Sequence, residues 1–278
     1  AEGDFDAVDI MLPHDVHEQA AELAFAAGKH VLLEKPMAVD LASCARIIDL
    51  AKRAGTRFMV AEQAQYWPDI VRARELIDAG EIGDVLFADA RFYDRVKLPT
   101  AGARPWRFIL AHAGGGITMD GGAHWIRPLR MMLGEVREVI AVTGHHVPGM
   151  EGESRSQSLL RFESGVTATF TTLNLMAAAA PIELFRVTGT AGEIVIPGGR
   201  EAQLMLFNQR HPKGHAVMDA VQGKADSYGM ELKDFEELVL DGKAPVASAE
   251  YSLGELRTAL AMYRSVTSGR WESVWDPA

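Results

Sequence analysis

The first sixty residues alternate in character, and that alternation constrains the fold more than any other feature. Residues 6–12, 30–33 and 57–61 are short runs rich in Val, Ile, Leu, Phe and Met, and two stretches of helical spacing lie between them. Strand, helix, strand, helix, strand with short links brings each strand back to the same end of a sheet, so the strands run parallel. Val16, Ala20, Leu23 and Ala27 form the expected inner face of the first helix, with Asp15 and Glu18 as its capping box and Gly28 closing it. Asp40 caps the second helix, which turns Leu41, Cys44, Ile48 and Ala51 inward and stops at Gly55.

Beyond residue 63 the pattern changes. A helix opens at Gln65-Tyr66-Trp67-Pro68 with Ile70, Ala73 and Ile77 inward, and a strand follows at 85–93. Residues 97–113 read as loop. Strands are then expected at 136–143, 157–162, 166–175, 182–188, 193–196 and 203–207 with no helices between them, which argues a mostly antiparallel sheet. Two helices close the chain. The first, 226–240, is expected to bury Tyr228, Leu232, Phe235 and Val239; the second carries Ser252 and Glu255 as a capping box and Leu256, Leu260 and Tyr263 inward. The expected fold is α/β plus α+β. Residues 1–63 form a partial Rossmann-like parallel unit, and residues 64–278 a large, mostly antiparallel open sheet with helices on one face. Whether the last helix packs back on the first unit stays open.

Composition narrows the function classes. A net charge of -10 argues against a nucleic-acid partner. No apolar run reaches the length of a membrane span and no signal-peptide pattern is present. The single Cys44 excludes an internal disulfide framework and suits a reducing, cytoplasmic setting. No dense cluster of Cys, His or acidic residues has metal-ligand spacing, so no metal is expected. The chain starts at Ala1 with a strand almost at once, which reads as a fragment or a processed start.

The chemistry gathers in two places. Lys35 ends the second strand, and Pro36 stops that strand because it has no N–H for the ladder. Ligands of open α/β sheets bind just beyond the carboxyl ends of strands, so Lys35 stands where a ligand would lie. The alternative is a surface lysine after an edge strand, and Glu34 is either a ligand contact or a solvated charge. The second place is Gly114-Gly115-Gly116, followed by Asp120 and His124. A carboxylate four residues before an imidazole can orient it and raise its basicity, as a general base requires. Asp120 as a helix cap and His124 as a core histidine is the rival reading. His14 and His17 flank the first strand's carboxyl end, where a surface position is the alternative for both. Trp106 and Trp125 either stack on a sugar or fill the core. His145-His146 lack metal spacing and read as structural or exposed.

The residues resemble a known family, the Gfo/Idh/MocA oxidoreductases dependent on NAD or NADP. Four matches carry the resemblance: Pro13 with His17 after the first strand; Gly28-Lys29-His30-Val31-Leu32-Leu33-Glu34-Lys35-Pro36; Gly114-Gly115-Gly116 with Asp120 and His124; and the order of the two units. The resemblance covers essentially the whole chain. It implies hydride transfer between a nicotinamide cofactor and a sugar, cyclitol or similar polyol. It also implies Lys35, Asp120 and His124 as catalytic residues. Lys35 would polarise the reacting oxygen, His124 would exchange the hydroxyl proton, and Asp120 would orient His124 or bind substrate. Cofactor contacts would come from Pro13, His17, Glu34, Lys35 and Pro36, and substrate contacts from Lys35, Gln63, Trp106, Asp120 and His124. A homo-oligomer, dimer or tetramer, would form through the large sheet.

Two departures stand out. No Gly-x-Gly-x-x-Gly occurs in the chain, so the expectation is a member lacking the first two or three strands, which meets only the nicotinamide side of its cofactor. Gln63 and Gln65 stand where the family often has Asn and Arg, which removes a partner for an anionic substrate. The other functions in view are an NAD-dependent glycosidase-type relative and a catalytically silent sugar-binding or oligomer-forming protein.

Overall fold

The structure, a computed structural model, describes residues 4–100, 102–177, 180, 182–198, 203–218 and 225–275. The outermost ends of the two expected units, residues 1–3 and 276–278, lie outside the described residues. The alternation at the start builds a parallel three-stranded sheet: β1 (Ala7–Ile10), β2 (His30–Glu34) and β3 (Phe58–Ala61), in the order β1-β2-β3. Helix α1 (His17–Ala26) and helix α2 (Leu41–Ala54) make the crossovers. In the centre of β2, successive side chains point to opposite faces, and both faces are covered. Val31 and Leu33 pack with α1, α2 and the last helix, while Leu32 meets a different helix on the far side. Each such burial stabilises the unit by about 1.5–3 kcal/mol.

The chain then forms α3 (Pro68–Asp78), which starts on the preset φ of Pro68, and β4 (Val85–Arg95). The stretch expected as loop contains a short turn of helix, α4 (Leu110–Ala113). Helix α5 (Ala123–Leu133) buries Trp125, Ile126 and Leu129 under the large sheet. Seven strands follow: β5 (Val136–Gly144), β6 (Arg155–Phe162), β7 (Thr167–Leu175), β8 (Glu183–Gly189), β9 (Gly192–Pro197), β10 (Leu204–Asn208) and β11 (His211–Met218). Helices α6 (Ala225–Leu240) and α7 (Leu253–Ser268) and the short β12 (Glu272–Ser273) end the described chain. The nine-stranded sheet runs β11-β10-β9-β8-β4-β7-β6-β5-β12. It is antiparallel except where β4 lies parallel to β7. Burial alternates along β6 and β7, so one face packs on α3, α5 and α7 and the other is open.

The sequence reading needs five corrections here. Helix α1 buries His17, Ala21 and Phe25, while Leu23 is 67% exposed. Asp15 does not cap it; its carboxylate binds His112 Nδ1 at 2.6 Å, and Glu18 binds Arg46. Ser252 and Glu255 do not form a capping box, because both are engaged by arginines of α5. Helix α6 is turned from the expected phase: Ser227, Glu231, Asp234, Phe235 and Leu238 are buried, and Tyr228 and Leu232 are exposed. Strand β11, with His, Lys and Gly among its residues, carries little apolar signal and was not expected. The last helix does pack on the first unit. Leu256 and Ala259 of α7 join the core of β1, β2, α1 and α2, while Ala261 and Met262 join that of the large sheet.

Candidate active site

β1, β2 and β3 end side by side, and the carboxyl ends of β1 and β2 wall one cleft of about 470 Å³. Met11, Leu12 and His14 follow β1, Glu34 and Lys35 end β2, and Trp106, Arg107, Asp120 and His124 face them. Lys35 Nζ donates to the Asp120 carbonyl at 2.6 Å and to Asp120 Oδ1 at 3.0 Å. An ammonium has three hydrogens, and the third has no acceptor among the described residues. The Lys35–Pro36 peptide bond is cis. Asp120 is also held on its other oxygen, where Arg107 Nε donates to Oδ2 at 2.8 Å. Burial opposes its charge, but Lys35 and Arg107 hold the carboxyl well below the usual carboxylate range.

Asp120 is not the helix cap: α5 begins at Ala123 with Gly122 at its cap. The carboxylate that orients the imidazole is Glu62, which follows β3 as Glu34 ends β2. His124 Nδ1 donates to Glu62 Oε1 at 2.6 Å, and Ala64 N donates to the same oxygen at 3.0 Å. Glu62 is 3% exposed. Burial raises its pKa, but the imidazole, with Arg127 and Lys35, outweighs this and holds it at about 2. Glu62 Oε2 has no hydrogen-bond partner among the described residues. Glu231 of α6 is also buried, with Oε2 unpartnered. Burial, then Glu34, Glu62 and Asp9, pushes its pKa up to about 8 against a smaller pull from Arg127. Neither glutamate follows from the apolar pattern. The signal for Glu62 was its place at a strand's carboxyl end.

His14 is 3% exposed and not a surface residue. Its Nδ1 donates to Ala113 O at 2.8 Å, its ring meets Trp106 edge-on, and its Nε2 stands 3.9 Å from Asp120 Oδ1. Burial lowers its pKa to about 4, so it is neutral near pH 7. Trp106 lines the cleft with the Arg107 guanidinium 4.2 Å from its ring centroid, whereas Trp125 is core. His17 is fully buried. Its two ring nitrogens face Leu12 O and Pro36 O, which ties the ends of β1 and β2 together. Pro13, His17, Pro36 and Gln63 are not among the residues lining the cleft. Gln65 turns away from it, and its side-chain oxygen accepts from Arg127. His145 and His146 bond to Gly152 O, Asn174 O and Ser154, and no group with metal-binding geometry occurs among the described residues.

Two of the glycines are required by the protein's own packing. A Cβ on Gly116 would lie 1.9 Å from Glu153 O, and one on Gly121 2.1 Å from the Phe92 ring. Glu153 then pins the loop, its carboxylate accepting from Gly116 N and Thr118 N at 2.8 Å each. Helix α5 is fixed from behind. Arg127, fully buried, donates to Glu255, Ser252 and Gln65, and Arg130 bridges Glu255 and Glu135.

A parallel unit offering a lysine at a strand's carboxyl end, opposite a glycine-rich loop and an oriented histidine, defines an oxidoreductase built around a nucleotide cofactor. Residues 1–62 match the oxidoreductase family with an NAD-binding Rossmann fold, and residues 70–195 match the GFO/IDH/MocA C-terminal domain. The chain belongs to the Gfo/Idh/MocA oxidoreductase family. It is 29% identical over 270 residues to D-xylose 1-dehydrogenase (NADP(+)) 2 of Haloferax volcanii, covering 97% of this chain and 80% of that protein. It is 27% identical over 271 residues to scyllo-inositol 2-dehydrogenase (NAD(+)) of Bacillus subtilis, covering 95% and 76%. Among solved structures it resembles aldose-aldose oxidoreductase from Caulobacter crescentus complexed with glycerol. There the TM-score is 0.85 at 27% identity, over 98% of this chain and 80% of the other.

Proposed function

We propose that the protein is an NAD(P)-dependent oxidoreductase that transfers a hydride between the cofactor and a carbon of a sugar, cyclitol or similar polyol. The observation that carries this is Lys35, paired with Asp120, and His124, held from behind by Glu62, on the walls of one cleft. Lys35 donates its third hydrogen to the reacting oxygen and stabilises negative charge developing there. With Nδ1 engaged as a donor to Glu62, proton exchange with the hydroxyl falls to His124 Nε2, and Glu62 stabilises the imidazolium that forms. Asp120 holds Lys35 in place. Met11 and Leu12, 70% and 46% exposed on the cleft wall, give the apolar surface that a nicotinamide ring fits. When bound, that ring accepts or supplies the hydride.

In this reading residues 1–63 hold the cofactor, and residues 64–278 hold the substrate and form a homo-oligomer through the open sheet face, where Phe87 and Val142 are exposed. No helix among the described residues is long and apolar enough to cross a membrane. The single, buried Cys44 suits a cytoplasmic protein. The test is turnover of NAD+ or NADP+ against a panel of aldoses, cyclitols and alditols, with cofactor binding measured by calorimetry. Reduction with at least one polyol supports the reading. A folded protein that neither binds nor reduces either cofactor overturns it.

A further inference from the structure

The cleft is one of two adjacent chambers. The second, of about 130 Å³, lies beside it and shares Phe92, Asp94, Arg107, Asp120 and Gly121 as walls. The two differ in chemistry. The main cleft is faced by His14, Glu34, Lys35, His124 and Tyr228. The side chamber is faced by Phe92, Val96, Phe108, Ile117 and Met150.

The polar side chains Asp94, Arg107 and Asp120 all stand on the wall that the side chamber shares with the main cleft. Arg107 Nε and Lys35 hold the Asp120 carboxylate, and Asn174 Nδ2 contacts Met150 Sδ at 3.5 Å. Away from that shared wall, Val96, Phe108, Ala113 and Ile117 offer a sugar ring's hydroxyls no hydrogen-bonding side chain. An apolar cavity of about 150 Å³ holds one benzene, so a chamber of this size suits a single compact apolar group. Gly121 and Phe92 form part of the wall between the chambers. Gly121 has no Cβ, and the Phe92 ring, tilted against the Trp125 ring at 4.2 Å between centroids, occupies the place where one would be.

We propose that the substrate is a sugar or polyol bearing a compact apolar substituent, an O-alkyl or O-aryl group, whose polyol part sits in the main cleft and whose substituent fills the side chamber. This rests on the polyol reading above and narrows it: a substituted sugar is preferred to the free one. Phe92, Val96, Phe108, Ile117 and Met150 set that preference and take no part in the chemistry.

The test is methyl NMR on the whole chain labelled at its methionine methyls, with NADH present. Glucose, galactose and xylose are each titrated free, as the methyl glycoside and as the phenyl glycoside, and phenol is titrated alone. The expected result is that one phenyl glycoside binds about tenfold or more tighter than its free sugar and shifts the Met150 methyl. Val96→Trp, which fills the chamber, is expected to abolish that preference and leave the free sugar's affinity unchanged; Met150→Phe gives a second filling variant should the first not fold. Phenyl glycosides that bind no tighter than free sugars, or a preference that survives both variants, overturn this proposal alone. Phenol shifting Met150 while no sugar or glycoside binds overturns the polyol reading, and this proposal with it.

Discussion

His124 Nδ1 donates to Glu62 Oε1 across 2.6 Å, joining the first turn of α5 to the segment that leaves β3. The pair sets the tautomer of the imidazole and supplies the charge that an imidazolium needs. Glu62→Gln keeps a hydrogen-bond acceptor and removes the charge. The expected effect is a fall in kcat of about 100-fold or more, with KM little changed. An equal fall in a variant that has merely lost stability would shift the melting temperature too, so both are measured.

Lys35→Met removes the donor to the reacting oxygen and leaves Asp120 held by Arg107 alone. The expected loss in kcat/KM is about 10²–10³-fold. The variant also loses part of a stabilisation with a definite pH window. Asp120 has its folded pKa depressed, so its contribution is present above the unfolded value of 3.8 and is lost as pH falls through the folded value. Acid unfolding curves should therefore differ least between wild type and Lys35→Met at the lowest pH.

Glu231 runs the other way. Its pKa is raised from 4.5 to about 8, so its contribution is fully present below about pH 4.5 and is lost as pH rises through about 8. Glu231→Gln removes the titration. Thermal unfolding at pH 6 and pH 9 is expected to show wild type losing stability between them and the variant losing less, with the variant the more stable at pH 9. Parallel curves would contradict the assignment.

Arg127→Met leaves Glu255 and Gln65 without their Arg127 partner, although Arg130 still reaches Glu255. Breaking a buried pair from one side costs about 3–5 kcal/mol. Guanidinium unfolding of this variant is expected to show a loss of that size, since α5 is clamped to α7 through this residue.

Much of the architecture was legible because it is written in local pattern. The three parallel strands follow from the alternation, and Asp40, Gly55 and Pro68 mark helix ends by backbone chemistry that needs no distant partner. Lys35 could be placed because a strand's carboxyl end is a position in the chain. Asp120, 85 residues from Lys35, came to it only through the family resemblance, and Glu62, 62 residues from His124, was not named at all. The same long-range forces overrode local signals. Ser252 and Glu255 looked like a capping box until two arginines claimed them. Helix α6 buries Glu231 and Asp234 rather than Tyr228 and Leu232, since its polar face meets the ends of the parallel strands, where Tyr66 donates to Asp234 at 2.6 Å.

The most direct test of the account is deuterium transfer. The protein is supplied with polyols and sugars deuterated on their carbinol carbons, with NAD+ or NADP+, and the reduced cofactor is analysed by mass spectrometry. The account predicts one deuterium in the reduced nicotinamide, with the yield collapsing in Lys35→Met. A cofactor that binds but stays oxidised across the panel, or is reduced without gaining deuterium, would contradict it.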